Sequence, residues 1–548
     1  MEITNIATHL TLMAKSQPES LAVIIQQNIN TYKEYNYRTL EEYSNNIAAG
    51  LLQSGIKKGT RVTVMVQPGF EFFGIIFALF KIGAVLVAVD PGLGLTGLKQ
   101  CLSEAEPEVF IGNLKAHIAR LLFNWSKQTI YLRITISNLT KLFPDVIPLQ
   151  KIIDSANEKF DSTTIRTAKS DMAAILFTSG STGIPKGVVY SHSNFLAQVE
   201  ALKSQYDIKP GEIDLATFPL FALYAPAMGM TSIIPDMNFT RPGSASPLKL
   251  ISAIKKYKAT TMFGSPALIN RTGQWGVKNN IKLPTLKRVL SAGAPVSPQV
   301  LEIFTNILMD GVEIFTPYGA TECLPVSSIG SIEILTEIRS ETEAGKGICV
   351  GKPIKGLLVS IFPITNEAIP NWDTTQVLGD YRPGEIVVHG PQVTSRYYNR
   401  SDETKQSKIY SKNGDIYHRM GDTGYFDDSG RLWFCGRKVH CIVYKKENYF
   451  SICCEGVFNV HEKISRTALV GLKRNGQTVP ALCVEMEDEF YGDNKKQIKS
   501  ELLELGRRYE HTRVIEDFFF HPSFPVDIRH NAKIDRVKLG IWANEKIS

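Results

Sequence analysis

Ile175-Leu176-Phe177-Thr178-Ser179-Gly180-Ser181-Thr182-Gly183-Ile184-Pro185-Lys186-Gly187-Val188-Val189-Tyr190-Ser191-His192 is the most informative stretch of this 548-residue chain. Its centre, 178–187, holds four hydroxyl side chains, three glycines and one lysine between two β-rich runs. Glycines let a backbone fold close around an anion with successive N–H groups turned inward, while Thr178, Ser179, Ser181, Thr182 and Lys186 add donors and charge. Phosphate is the anion such a loop suits best. A Walker A loop is excluded, because Lys186 is followed by Gly187 and a strand-like Val188-Val189-Tyr190. An ordinary hairpin turn rarely needs a loop of this length. The stretch predicts a hairpin whose loop closes over a polyphosphate.

Around this loop, the chain is too long for one ordinary core, so several domains are expected. Apolar residues make up 43% and charged residues 21%, as in globular proteins. A net charge of +7 and a pI near 8.8 suit an anionic substrate. With no long basic run and no nucleic-acid motif, they make no case for binding nucleic acid. Eight cysteines include no Cys-x-x-Cys and no ligand-spaced set, which fits a reducing cytoplasm, and adjacent Cys453-Cys454 reads as packing. Met1-Glu2-Ile3-Thr4-Asn5 lacks the basic start of a signal peptide. The apolar stretch 70–89 is interrupted by Glu71, Lys81 and Gly83 and reads as a helix followed by a buried strand, not a membrane span. Peripheral contact with a membrane surface stays compatible with this reading.

Helical stretches alternate with short Val/Ile-rich runs over the first ~430 residues, the pattern of an α/β fold with buried sheets. Strands are expected at 62–66, 85–89, 109–111, 173–177 and 260–263, with a helix at 249–257. From about Gly384 the texture changes to strands joined by tight turns, including 385–389. A hairpin is expected to pair 425–426 with 432–434, with Asp427 and Asp428 as turn formers. After Arg437 a small α/β unit of about 110 residues follows. Its expected strands are 468–471 and 482–487, its helix is 495–509, and it ends near Lys538. No internal repeat or low-complexity tract is present.

Gly92-Leu93-Gly94-Leu95-Thr96-Gly97 spells a dinucleotide-binding string. The ribose-holding acid that should end the next strand is missing, since that strand runs into Gly112-Asn113 and then His117. No Gly-x-Ser-x-Gly elbow exists, so an α/β-hydrolase is set aside. Three other segments complement a loop that grips ATP phosphates. The first is Ser291-Ala292-Gly293-Ala294-Pro295. In Thr316-Pro317-Tyr318-Gly319-Ala320-Thr321-Glu322, Tyr318 offers a ring to a purine, Thr321 a hydroxyl to phosphate and Glu322 a hard oxygen to Mg²⁺. Met420-Gly421-Asp422-Thr423-Gly424-Tyr425 places a carboxylate for ribose hydroxyls, and Gly436-Arg437 adds a forked cation.

Together and in this order, these segments resemble the core motifs of the adenylate-forming superfamily, which comprises acyl-CoA synthetases, nonribosomal adenylation domains and luciferases. Phe80-Lys81-Ile82-Gly83-Ala84, 384–390, 396–400 and Asn531-Ala532-Lys533-Ile534 extend the resemblance over nearly the whole chain. It implies an α/β architecture. A large N-terminal domain of βα-layered subdomains would span 1–437, and a small mobile α+β C-terminal domain carrying Lys533 would span 438–548. It implies ATP and Mg²⁺ as cofactors and activation of a carboxylate as acyl-AMP. Carried over by position, Thr178, Ser179, Gly180, Ser181, Thr182, Gly183 and Lys186 grip phosphates. Gly293, Ala294, Pro295, Tyr318, Gly319, Thr321, Asp422 and Arg437 hold the nucleotide, and Glu322 takes the metal. Thr321, Glu322 and Lys533 are the catalytic set, with Lys533 bridging the acyl carboxylate and α-phosphate and neutralising charge as the anhydride forms.

Departures from the common pattern narrow the reaction. Thiol-acylating members usually carry a glycine nine residues past the Arg437 equivalent, lining a pantetheine tunnel. Here that position is Lys446, and no glycine lies between Gly436 and Gly456. The hinge position is Val439, and the histidine of the usual Pro-Leu-Phe-His string is Ala222. Local strings at 219–223, 234–237, 263–268, 432–437 and 524–533 resemble the β-lactone synthetases of olefin biosynthesis. In that family a long-chain 2-alkyl-3-hydroxy fatty acid is adenylated and its own hydroxyl displaces AMP, with other olefin-pathway enzymes as partners. An internal nucleophile needs no tunnel. An acyl-CoA or acyl-carrier-protein ligase is the alternative, and a non-enzymatic descendant is disfavoured by the intact residue set. His440 and His530 are candidate bases, and 218–230 and 261–268 are candidate acyl-pocket walls.

Overall fold

The computed structural model describes residues 3–137, 143–156, 160, 165–178, 185–372, 377–526 and 534–547. Two seven-stranded sheets form its first half. One runs Ile147–Pro148, Leu132–Thr135, Val109–Gly112, Arg61–Met65, Val85–Ala88, Met172–Phe177, Gly187–Ser191. The other runs Glu313–Phe315, Arg288–Ser291, Thr261–Gly264, Ile213–Ala216, Thr231–Ile234, Leu21–Gln26, Tyr32–Asn36. Each has parallel pairing throughout except for its last strand, which is antiparallel. The same sheet is thus built twice although the sequence repeats nowhere. A strand buried on both faces asks only for apolar, β-branched residues, so the two copies share a pattern without sharing identities. The expected strands at 62–66, 85–89, 109–111, 173–177 and 260–263 all lie in these sheets.

Helix Phe70–Lys81 resolves the apolar stretch. Every residue from Phe72 to Lys81 is buried, in a core that also takes Val62 and Val109 from one sheet and Val23 and Ala216 from the other. It packs closely on helix Tyr37–Gln53, where a Cβ on Gly74 would lie 2.4 Å from the Tyr43 ring. Lys81 survives in this core because Nζ donates to Glu41 Oε2 at 2.7 Å, Ser44 Oγ at 2.6 Å and Asn45 Oδ1 at 2.7 Å. Among the described residues no helix is long and apolar enough to cross a membrane.

An eight-stranded antiparallel sheet follows, and it begins earlier than expected. Its order is Tyr318–Ala320, Cys323–Ser328, Ile348–Pro353, Leu432–Arg437, Ile416–Phe426, Gly384–His389, Leu358–Phe362, with Lys408–Tyr410 paired to Ile416–Phe426. The texture change expected near Gly384 in fact starts at Tyr318. Cys323–Ser328 contains Pro325 and two serines and is almost wholly buried, so it carries no alternation to read. Asp427 is the turn former expected, and more. Oδ1 accepts from the backbone N–H groups of Ser429 and Arg431, and Oδ2 accepts from Arg431 Nε at 2.7 Å and Trp433 Nε1 at 2.9 Å.

The remainder is α+β. Strands Ile464–Arg474, Gln477–Met486 and Phe518–Phe520 form a small sheet packed with helices Ser451–Phe458, Lys495–Arg507 and Arg536–Glu545. The last helix extends past the expected end near Lys538. We expect Glu41→Gln to destabilise the protein by about 3 kcal/mol, because removing one partner of a buried ion pair strands the other charge. A shift of the urea midpoint measures it, and an unchanged midpoint would show that Ser44 and Asn45 suffice for Lys81.

Candidate active site

The hairpin predicted over 175–192 is present. Phe177 pairs with Gly187 at its mouth, Thr178 N–H donates to Lys186 C=O at 3.0 Å, and Lys186 N–H donates to Thr178 Oγ1 at 3.1 Å. Ser179, Gly180, Ser181, Thr182 and Gly183 lie outside the described residues, as does Lys533. Segment 396–398 lies alongside the hairpin. Val189 N–H donates to Arg396 C=O, Tyr398 N–H donates to Gly187 C=O, and Lys186 Nζ sits 5.0 Å from the Tyr397 ring centre.

One cleft of about 3070 Å³ is lined by Thr178, Lys186, Gly293, Ala294, Pro295, Tyr318, Gly319, Thr321, Glu322, Asp422 and Arg437. That exceeds the ~300–1,000 Å³ of a single small-molecule site. Sequence spacing did not place these segments together; three different sheets do. Gly293-Ala294-Pro295 follows strand Arg288–Ser291 of the second parallel sheet. Tyr318 and Gly319 start the antiparallel sheet, where a Cβ on Gly319 would meet Cys323 C=O at 2.8 Å.

Asp422 and Arg437 face each other in register on adjacent strands. Arg437 Nη1 donates to Asp422 Oδ1 at 2.7 Å, and Tyr318 Oη donates to Oδ2 at 2.6 Å. Asp422 raises the Arg437 pKa, and burial followed by the Asp422 charge raises that of the Tyr318 phenol. Tyr318 therefore braces the carboxylate as well as presenting a ring. Each carboxylate oxygen keeps a lone pair for a further donor.

Glu322 has a shell that sequence reading missed. Tyr397 Oη donates to Oε1 at 2.6 Å, and Thr394 donates from N–H and Oγ1 to the Glu322 carbonyl. Behind them Lys408 is buried, with Nζ donating to Thr394 C=O at 2.5 Å. Burial lowers its pKa to about 8, opposed by Glu322. The string at 396–400 held the signal for Tyr397; nothing local marks Lys408. Tyr190 Oη donates to Thr321 C=O at 2.5 Å.

On the C-terminal side, Lys438, Val439, His440, Ile534 and Arg536 reach the cleft. Lys438 Nζ is held by Glu385 at 3.0 Å, and Glu385 also takes Arg419 at 2.6 Å, so the residue before Val439 is anchored in the sheet. Val439 itself is 66% exposed. His440 is the one histidine among the described residues lining the cleft. Burial, then Arg536 and Arg437, lower its pKa to about 4, so it is neutral at pH 7. His530 lies outside the described residues. Lys445 and Lys446 form the tip of hairpin Ile442–Tyr444/Glu447–Tyr449, both with left-handed backbones (φ 51° and 69°) and both exposed. This tip is not among the cleft residues. Of the candidate acyl walls, Phe218, Leu220, Phe221, Leu223, Tyr224 and Phe263 line the cleft. Ala222 and Met228 are core instead. Where the dinucleotide-binding string at 92–97 would need its ribose-holding acid, Asn113 caps helix Leu114–Leu122 and buried His117 bonds Ile134 C=O.

The pattern of the AMP-binding enzyme family, an enzyme family, matches residues 11–398. The chain belongs to that family. Two olefin beta-lactone synthetases, from Xanthomonas campestris pv. campestris and Stenotrophomonas maltophilia, are 43% and 42% identical to this AMP-binding enzyme. Each comparison covers 99% of this chain and 98% of the relative. Among solved structures, the amide bond synthetase McbA from Marinactinospora thermotolerans superposes with a TM-score of 0.79 at 20% identity, over 98% of this chain and 99% of that one. The α/β fold, with a large N-terminal part and a small C-terminal part, is that of adenylate-forming enzymes. For this AMP-binding enzyme we expect Asp422→Asn to weaken ATP binding about tenfold or more, since charge-assisted hydrogen bonds are the strong ones. Calorimetric titration with ATP measures it, and unchanged affinity would remove Asp422 from the nucleotide site.

Proposed function

We propose that the protein adenylates a long-chain 2-alkyl-3-hydroxy fatty acid with ATP and closes the acyl-AMP to a β-lactone, releasing AMP and pyrophosphate. The end-to-end likeness to two olefin beta-lactone synthetases carries this reading. The cleft agrees with it chemically. The cleft combines an aromatic wall at Phe218, Phe221 and Phe263 with polar Thr321, Glu322, Asp422 and Arg437, as an acyl-AMP requires.

In the first step we assign Asp422 and Arg437 to the ribose, and Thr178, Thr321 and Lys186 to the phosphates, with Ser179, Gly180, Ser181, Thr182 and Gly183 completing the loop. We assign Glu322 to Mg²⁺: Tyr397 takes one carboxylate oxygen and leaves the other for a cation. Among the described residues no group of three or more His, Cys, Asp or Glu is placed to hold a metal ion. One carboxylate plus the phosphates would therefore hold Mg²⁺, as is usual at ATP sites. The metal would neutralise phosphate charge. Lys533, delivered by the 438–548 unit, would pair with the carboxylate and α-phosphate as the anhydride forms. Its neighbour Arg536 is fixed at the cleft by Glu455 at 2.6 and 2.9 Å, which orients this end of the chain.

In the second step the 3-hydroxyl oxygen bonds to the acyl carbon, the bond from that carbon to the AMP oxygen breaks, and the hydroxyl proton is released. Burial and the neighbouring arginines, which lower the His440 pKa to about 4, make it a weak proton acceptor, so the proton goes to solvent. Attack within one molecule replaces binding of a second substrate. Lys446, where a glycine would serve a thiol acceptor, argues against ligation to CoA or a carrier protein. Free thiols throughout fit a cytoplasmic enzyme, and other olefin-pathway enzymes are the partners this product calls for.

Incubation with ATP, Mg²⁺ and the hydroxy acid, without CoA, is expected to yield lactone and AMP, read by mass spectrometry. Thioester on adding CoA, with no lactone, would overturn the reading. Lys533→Ala is expected to abolish pyrophosphate exchange while ATP binding stays within about threefold of wild type, since its charge acts mainly in the transition state. Undiminished exchange would remove Lys533 from the reaction.

A further inference from the structure

Beyond Thr321 the apolar wall of the cleft carries a polar relay. Tyr224 Oη donates to Gln198 Oε1, Gln198 Nε2 donates to Tyr190 Oη at 3.2 Å, and Tyr190 Oη donates to Thr321 C=O at 2.5 Å. All three side chains line the cleft and are nearly inaccessible, with Gln198 only 1% exposed. Phe195 packs on Tyr190 at 5.0 Å and on Tyr224 at 6.1 Å between ring centres. An alkyl chain asks for no polar group here. Burying an amide and two phenols costs free energy unless their hydrogen bonds are made.

The relay is directional, with every proton pointing toward Thr321. Counting donors and acceptors shows what it leaves over. Among the described residues the Tyr224 oxygen has no donor to it, and the second N–H of the Gln198 amide has no acceptor. One open acceptor beside one open donor matches a hydroxyl group, which is both. A ketone would fill only the donor, and a methylene neither. Its place is also right. Two hydrogen bonds, of 3.2 and 2.5 Å, separate the Gln198 amide from the carbonyl of Thr321, the residue before Glu322.

We propose that Tyr224 and Gln198 bind the 3-hydroxyl of the substrate, with Tyr190 holding the Gln198 amide in orientation. They select 3-hydroxy acids over plain fatty acids and aim the oxygen at the acyl carbon. The proposal rests on the lactone reading and names the part of the cleft that makes it specific. Burial raises the pKa of both phenols well above the usual tyrosine value, so Tyr224 orients the hydroxyl and does not deprotonate it.

The test uses the full-length protein with Tyr224→Phe, which removes only an oxygen, and Gln198→Leu. Pyrophosphate exchange is measured with a 2-alkyl-3-hydroxy acid and with its 3-deoxy counterpart, and lactone is measured per AMP. In wild type the hydroxy acid is expected to be preferred. In Tyr224→Phe, exchange with the deoxy acid stays within twofold, while KM for the hydroxy acid rises about tenfold, the scale of one lost hydrogen bond. Lactone per AMP falls as well. An equal loss with both acids marks a merely structural role and overturns the proposal, as does a wild-type enzyme without preference or variants that keep it. Preference without lactone supports the hydroxyl site and overturns the lactone reading alone.

Discussion

The Asp422 carboxylate is held on one oxygen by Tyr318 at 2.6 Å and on the other by Arg437 at 2.7 Å, and these bonds join the strand at 318–320 to a hairpin about a hundred positions further on. A buried carboxylate is tolerated only when its charge is met and its lone pairs are filled. Burying Asp422 therefore obliges the strands at 318–320, 416–426 and 432–437 to keep one register. A slip of one residue on either long strand would turn Arg437 or Asp422 to the opposite face. The local backbone serves the same end. Gly421 adopts a left-handed φ of 66°, and the ladder shifts register between Thr423 and Gly424.

Glu322 is treated in the same way with different partners. Tyr397 meets its side chain, Thr394 its carbonyl, and buried Lys408 supplies positive charge from behind. Both acids are thus oriented by protein groups while part of their hydrogen-bonding capacity still faces the cleft. Such preorganised dipoles cost no reorganisation when charge develops, which is where an adenylating site gains most. The hairpin at 175–192 joins this arrangement through 396–398, so Lys186, Tyr397 and Glu322 form one continuous wall.

Much of the site was legible because its motifs pack unusual chemistry into few residues. The hairpin mouth at Thr178 and Lys186, Tyr318, Glu322, Asp422 and Arg437 all line one cleft, and Asp427 proved a turn former. What was missed has physical reasons. Lys408 is an isolated lysine, and only burial beside Glu322 gives it meaning. Gln198 lies within helix His192–Tyr206, and Tyr224, inside the expected acyl wall at 218–230, lies in a turn between two short helices; their hydrogen bonds span 8 and 26 positions. The antiparallel sheet was placed too late because Cys323–Ser328 lacks the alternation that marks a half-exposed strand.

By itself the sequence determined the fold class, the hairpin at 175–192 and the family, because glycine, hydroxyl and charge spacing act over a few residues. It also carried the one departure that bears on the acceptor, Lys446, although that residue proved to be an exposed hairpin tip. Only the tertiary structure decided which segments meet. Three sheets converge on a single cleft, Tyr318 reaches Asp422 across 104 positions, and Tyr190 links the relay to Thr321 across 131. Contacts of that range depend on sheet register and core packing, which no local pattern encodes. The hairpin at 175–192 could suggest a phosphate; only the fold brings an apolar wall and the Tyr224, Gln198 and Tyr190 relay into the same cleft.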